Sequence, residues 1–221
     1  MARDSANDIR PDQLLKAYTL GYFPMGRRRD DPKVVWVLPE ERGALQLEKA
    51  RAPKKLKRLI AREPFEVRFD TAFGEVIAAC AACGEGREET WINDPIEDVY
   101  RELHRLGYAH SVECYDQGVL VGGLYGVALG GVFCGESMFS RVDNASKIAL
   151  AYLIARLKIG GFKLLDTQFH TDHLAQFGVE KVANDDYQRL LAGRLGVKAD
   201  FKRAPAYLST ICVLQSITQT S

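Results

Sequence analysis

Hydrophobic positions recur along the chain at two periods, one helical and one extended, and the changes between them mark out the elements. "DIRPDQLLKAYTLGYFPMG" carries Leu14, Leu15 and Tyr18 at helical spacing, with Gly21 and Pro24 ending the helix. A short loop and the charged turn "RRRDDP" lead to "KVVWVLP", a short strand that Pro39 terminates. In "RAPKKLKRLIARE" the apolar residues Leu56, Leu59 and Ile60 form one stripe among basic neighbours, which predicts a one-faced helix. "FEVRFDTAFGEVIAAC" reads as a strand and then a helix, "DPIEDVYRELHRLG" as an amphipathic helix capped by Gly107, and "AHSVECY" as a strand.

Further on, "GVLVGGLYGVAL" and "GVFCGESMF" predict antiparallel strands that turn at Gly130-Gly131. "NASKIALAYLIARLKIGG" predicts a long helix, started by Asn144 or Ser146 and stopped by Gly160-Gly161. "FKLLDTQF" returns as a strand, so hairpin, helix and strand follow one another around one sheet. The uncharged stretch Gly118 to Gly135 has eighteen residues and touches the lower limit of a membrane span. Seven of those residues are Gly, several of them paired, and two strands with a turn account for the run better. No internal repeat or low-complexity segment interrupts the pattern.

Size and composition fit this mixed reading. The 221 residues, 47% hydrophobic and 27% charged, can bury a substantial core and exclude a disordered or fibrous chain. The net charge of +1 hides an asymmetry that does change the picture. Residues 1–62 hold fifteen Lys/Arg against eight Asp/Glu, whereas residues 63–221 hold fifteen against twenty-one. A small basic N-terminal domain, residues 1–62, followed by a larger acidic domain, residues 63–221, is the expected organisation. The opening "MARDSANDIR" lacks the apolar centre of a secretory signal, and five scattered cysteines suit reduced thiols; both point to the cytoplasm and away from a membrane. Cys80-x-x-Cys83 has no second pair, and His170 and His173 have no third ligand nearby, so no metal site is expected.

Chemistry concentrates in two strands. Glu136 stands within "FCGESMFSR" among Phe133, Cys134, Met138 and Phe139, where a carboxylate must be paired, exposed or put to use. Arg141 or Lys147 could supply a purely structural ion pair. In "FKLLDTQF" the two-residue period places Asp166 and Gln168 on the face of Leu164, with Leu165 and Thr167 opposite. If that face is the core side, a carboxylate and a carboxamide lie together in low dielectric and can bridge a bound amine; if the strand end protrudes, both are merely solvated. The basic residues Lys54, Lys55, Lys57, Arg58 and Arg62 form either a solvated helix face or a set of phosphate contacts.

Taken together, "GYFPM", "WINDPIEDVYRELHRLGYAHSVE", "LVGGLYGVALGGVFCGESMFSRVDNASKIAL", "LLDTQF" and "TDHLAQFG" resemble the bacterial leucyl/phenylalanyl-tRNA protein transferases over nearly the whole chain. The resemblance implies an α+β protein. Its C-terminal domain would be an acetyltransferase-like (GNAT) mixed sheet with flanking helices, joined to a small N-terminal α/β domain. It also implies transfer of Leu or Phe, and less readily Met, from Leu-tRNA or Phe-tRNA to the α-amino group of proteins beginning with Arg or Lys, which tags them for N-end rule degradation. The donor is an activated ester, so no ATP, metal or other cofactor is expected. The catalytic carboxylate and amide of the family fall on Asp166 and Gln168, and its pocket glutamate falls on Glu136.

For the donor side chain the resemblance suggests a pocket of Leu124, Phe133, Met138, Leu150 and Leu165, with Trp91 stacked on the terminal adenine and the basic helix against the acceptor stem. His173 is expected to orient the "TDHLAQFG" segment. Two positions depart from the family pattern: Met25 stands where many members have Trp, and "VWVLP" with its single Trp36 replaces a Trp-Trp-Ser-Pro strand. The rival readings are an acyl-CoA-dependent N-acetyltransferase and a non-catalytic RNA-binding module. The first needs a glycine-rich turn before the long helix, and "SRVDNASK" has no glycine; the second leaves Asp166, Gln168 and Glu136 without a task.

Overall fold

The computed structural model describes residues 9–83 and 89–218; the polar opening segment and the end of the "QSITQTS" tail lie outside the described residues. In chain order the elements begin with α1 (Pro11–Thr19), β1 (Phe23–Gly26), β2 (Val34–Val37), β3 (Glu41–Gln46), α2 (Lys54–Ile60) and β4 (Glu66–Phe69). They continue with α3 (Phe73–Ala81), α4 (Asp94–Arg105), β5 (Ala109–Asp116), β6 (Val119–Leu129), β7 (Val132–Ser140) and α5 (Ala145–Gly160). The chain closes with β8 (Leu164–Gln168), α6 (Asp172–Ala175), β9 (Glu180–Ala183), α7 (Asn184–Leu195) and α8 (Thr210–Ser216).

A seven-stranded mixed sheet in the order β4-β5-β6-β7-β8-β3-β9 forms the centre, and β1 and β2 pair separately. Neighbours in the large sheet are antiparallel except β7 and β8, which run parallel with α5 as the crossover between them. That parallel ladder is short, with Val132, Phe133 and Cys134 opposite Leu164, Leu165 and Asp166. Beyond it β7 runs on to Ser140 and β8 to Gln168 without pairing each other, so the two strands part and open a crevice.

Each face of the sheet buries a core. On one side Leu45, Val112, Leu124, Phe133 and Leu165 pack against α5. Helix α5 is buried nearly all round because α2 and α8 cover the side turned away from the sheet, which explains why its apolar residues follow no single stripe. On the other side Tyr125, Val127, Val132, Cys134 and Leu164 meet α1, α3, α4 and α7. Helix α4 is an amphipathic counterpart, with Ile96, Val99, Tyr100 and Leu103 inward and the Asn93 side chain accepting from Ile96 N at 3.1 Å.

The strands and helices read from periodicity appear at their places, and the uncharged run forms the β6–β7 hairpin. Among the described residues no helix is long and apolar enough to cross a membrane. Six elements carry no sequence reading: β1, β3, α6, β9, α7 and α8. Of these β3 matters most. "ERGALQ" has two charges and a glycine and becomes a strand through its pairing between β8 and β9, so tertiary context overrides weak propensity. Residues 41–46, which stand ahead of the expected boundary at 62, are thus part of the main sheet.

Candidate active site

Glu136 owes its position to an irregularity in β7. Tyr125 of β6 pairs with Ser137 and Gly126 with Gly135, so Glu136 is an extra residue, a bulge, between them. The bulge reverses the side-chain alternation: Phe133 and Met138, five residues apart, both meet the α5 side of the sheet, while Phe139 joins the opposite core. The Glu136 carboxyl turns toward α1 and α4, where Tyr100 donates to Oε2 at 2.8 Å and the Tyr18 and Tyr100 hydroxyls lie 2.5 Å apart. Oε1 is buried without a hydrogen-bond partner. Burial pushes this carboxyl up to about 7, although the Tyr18 and Tyr100 hydroxyls hold it down. The structural ion pair with Arg141 or Lys147 does not form: Arg141 donates to Leu120 O at 3.0 Å and lies over the Phe139 ring.

A second irregularity lies across the crevice. Gly43 of β3 pairs with Gln168 and Ala44 with Asp166, which leaves Thr167 as the extra residue. Phe169 N donates to Thr167 O at 2.6 Å around Gln168, whose φ is 58°. This is a tight three-residue turn with a non-glycine residue in the left-handed region, a conformation that costs about 1–3 kcal/mol and persists only where surrounding structure enforces it. Asp166 and Gln168 are both buried, as the alternation predicts for a core-facing strand, but they do different things. Asp166 is fully enclosed: Oδ1 accepts from Arg42 Nε and Gln168 N, each at 2.8 Å, and Oδ2 accepts from Arg42 Nη2 at 2.6 Å and from Tyr187 at 2.7 Å. The Gln168 side chain instead enters the crevice, where Nε2 is buried without a partner.

The crevice is a cavity of about 600 Å³. Its walls include Leu124, Met138, Leu150 and Leu165, as the sequence suggested, together with Leu153 and Leu174. Trp91 lines it too, held there because Gly26 N at the end of β1 donates to Trp91 O at 2.9 Å. A side chain at Gly26 would meet that same oxygen at 2.6 Å. Phe133 is the exception among the expected pocket residues. It is fully buried at the closed end of the parallel ladder, stacked on Phe201 at 5.8 Å, and does not line the cavity. Glu136 and Gln168 enter the cavity, while Asp166 stays behind its wall.

Of the basic set, Lys54, Lys55 and Arg58 are exposed and Lys57 is half-buried on a helix anchored by Leu56 and Ile60, and Arg62 is exposed in the turn just after it. His173 lines the cavity from α6, and burial lowers its pKa. His170 is exposed, Cys80 is buried on α3 and Cys83 is exposed; among the described residues no group of His, Cys, Asp and Glu could hold a metal. Sequence reasoning missed Arg42, Tyr187, Tyr100 and Tyr18. One signal did exist, since a carboxylate assigned to a core face requires a cation, but nothing in "ERGAL" says which strand it comes from.

A mixed sheet whose central strands part over an apolar chamber, with a carboxyl and a carboxamide at its wall, is suited to an enzyme that brings an amine to an acyl group. The family model "Leucyl/phenylalanyl-tRNA protein transferase" matches residues 44–192, and that of its N-terminal domain matches residues 7–40. A leucyl/phenylalanyl-tRNA–protein transferase of Phenylobacterium zucineum is 52% identical over 213 residues, covering 94% of this chain and 96% of its own. The like-named protein of Rhizorhabdus wittichii is 56% identical over 191 residues, 86% of this chain and 77% of the relative. The chain belongs to the leucyl/phenylalanyl-tRNA protein transferase family, whose members are aminoacyltransferases. A solved structure, that of L-PGS from Bacillus licheniformis, matches with a TM-score of 0.42 at 13% identity over 85% of this chain and 73% of that one, too loose a likeness to bear on the fold.

Proposed function

We propose that the protein moves Leu or Phe, and less readily Met, from aminoacyl-tRNA to the α-amino group of cytoplasmic proteins that begin with Arg or Lys, tagging them for N-end rule degradation. The observation that carries this reading is the pairing of Glu136 Oε1 and Gln168 Nε2, two buried polar atoms without partners, at the wall of one apolar cavity. A cavity so built takes an apolar side chain into its depth and leaves an acceptor and a donor for the amine and carbonyl beside it.

The chemistry asks little more. The acceptor nitrogen attacks the ester carbonyl carbon, the bond to the ribose oxygen of tRNA breaks, and the proton lost by nitrogen ends on that oxygen. Holding amine and ester together supplies roughly 7–11 kcal/mol in favourable cases. Glu136 accepts a hydrogen bond from an amino group and, when ionised, takes its proton; the Gln168 carboxamide fixes the nitrogen or the carbonyl. Asp166, with both oxygens already occupied, acts through Gln168 rather than on the amine. Apolar walls separate side chains by only about 1–3 kcal/mol per methylene, which suits acceptance of Leu, Phe and Met. Trp91 would stack on the terminal adenine, and Lys54, Lys55, Lys57, Arg58 and Arg62 would meet acceptor-stem phosphates.

The mixed sheet with helices on both faces supports an acetyltransferase-like larger domain. The membership of β3 in that sheet favours a junction with the small N-terminal domain close to residue 40. Incubation with radiolabelled Leu-tRNA and an Arg-initiated acceptor tests the activity. Label in the acceptor supports transfer. Label retained on bound tRNA makes the protein an RNA-binding module, and a requirement for acetyl-CoA makes it an acetyltransferase.

A further inference from the structure

Arg42 is 1% exposed, and every edge of its guanidinium is engaged. Nε and Nη2 form a fork on the two oxygens of Asp166, at 2.8 and 2.6 Å, and Nη1 donates to Gly21 O at 2.9 Å. The faces lie between the rings of Phe23 and Tyr187, at 4.8 and 4.6 Å. A buried ion pair is weak support for stability, since well-packed apolar residues usually replace one without loss. Its value here lies in geometry. The fork fixes the carboxylate plane, Tyr187 takes a second position on Oδ2, and the position left on Oδ1 receives Gln168 N at 2.8 Å. That last hydrogen bond and the one from Phe169 N to Thr167 O close the turn that carries Gln168 at φ 58° into the cavity.

We propose that Arg42 is a positioning residue for the transfer reaction: by clamping Asp166 against the Gln168 N–H it holds the Gln168 carboxamide at the cavity wall, where the amine is brought to the ester. The inference rests on the reading of this cavity as the transferase site. It casts Asp166 as part of a backbone clamp, not as the group that takes the proton. Tyr187 is the second element of the clamp, and α7 is therefore tied to the site although none of its residues lines the cavity.

The test is steady-state transfer of labelled Leu from Leu-tRNA to an Arg-initiated peptide by the full chain, with Arg42→Lys and Tyr187→Phe beside wild type. Lysine keeps the charge but cannot fork. The expected result for Arg42→Lys is a kcat lower by about 10–100-fold, the scale of a small misplacement of a reacting group. KM for Leu-tRNA should stay within about twofold, because the apolar walls are untouched. Tyr187→Phe should lower kcat in the same manner but less, and the pH midpoint of transfer should stay at its wild-type value in both. A folded Arg42→Lys protein with wild-type kcat, a rise in KM with kcat intact, or a pH midpoint that moves with residue 42 overturns the proposal. If Arg42→Lys does not fold, Tyr187→Phe decides: lower kcat at constant KM supports the clamp, and unchanged kcat overturns it. No transfer by wild type sinks the transferase reading and this inference with it, whereas an active wild type with undiminished variants sinks this inference alone.

Discussion

The Tyr100 hydroxyl donates to Glu136 Oε2 at 2.8 Å, and the opposite oxygen of the same carboxyl has no partner. One half of the group is thus tied to α4, while the other is free at the wall of the chamber. The groups that bear on its charge are Tyr18 on α1, Tyr100 on α4, Asp166 on β8 and Arg42 on β3. Burial is the largest influence and raises the pKa to about 7. Because Tyr100 favours the ionised form, Tyr100→Phe is expected to move the acid limb of the pH–rate profile upward. Transfer measured at saturating acceptor from pH 5 to 9 checks this; a limb that stays in place removes Glu136 as the titrating group.

Folding stability should report the same carboxyl. Its folded pKa lies above the ordinary value of 4.5, so its contribution is fully present below about pH 4.5 and is lost as pH rises through 7. The total is roughly 3 kcal/mol. Glu113 is raised by burial and Asp70 is lowered by His110 despite burial, so the bulk pH profile mixes opposite signs. Comparing Glu136→Gln with wild type isolates the one residue: the thermal midpoint of the variant should gain on wild type from pH 5 to pH 8. Equal offsets at the two pH values would contradict the assignment.

Gly43 is the close neighbour of the turn at Gln168. A Cβ there would meet Thr167 Oγ1 at 2.5 Å and Phe169 O at 2.6 Å, and the second of these is backbone that cannot swing aside. Gly43→Ala should therefore cost about 1–3 kcal/mol of stability, as overpacking does, and lower kcat by displacing the turn. Chemical denaturation together with transfer kinetics measures both; full kcat in a destabilised variant would separate the turn from catalysis.

On the proposed reading, the chamber wall sets donor choice. Leu150→Phe fills part of the cavity opposite β7 and is expected to reduce kcat/KM for Phe-tRNA more than for Leu-tRNA, changing the ratio by about 10–200-fold, the reach of an apolar pocket. Competition between the two charged tRNAs gives the ratio directly, and an unchanged ratio would place the donor side chain elsewhere.

Basic residues on and just after α2 would act on tRNA through its phosphates. Substituting Lys54, Arg58 or Arg62 by Ala should lower the slope of log affinity against log salt by about one for each phosphate no longer neutralised. Filter binding over a range of salt concentrations tests this, and an unchanged slope leaves the helix as a solvated face.

Periodicity made much of this molecule legible. The amphipathic α4 and the Asp166 strand follow from spacings of apolar residues that also decide burial, while the long helix and the hairpin follow from the polar and glycine residues that bound them. Periodicity alone marked Leu124, Met138, Leu150 and Leu165 as core; the family resemblance singled them out for a pocket, and they line the cavity, whereas Phe133, singled out with them, lies outside it because depth along a strand leaves no periodic trace. Both bulges escaped as well. An extra residue in β7 or β8 shows only when its partner strand is known, and it is these two residues of slippage that aim Glu136 and Gln168. Arg42 stayed hidden because its partner lies 124 positions away in the chain.

The brevity of the ladder between β7 and β8 has a further meaning for the evolution of such a site. Strands and the long helix supply most of the chamber's walls, with Trp91, Phe169 and Thr171 added from connecting segments. On the proposed reading, retuning which amino acid is accepted would fall largely to single replacements along those strand and helix walls.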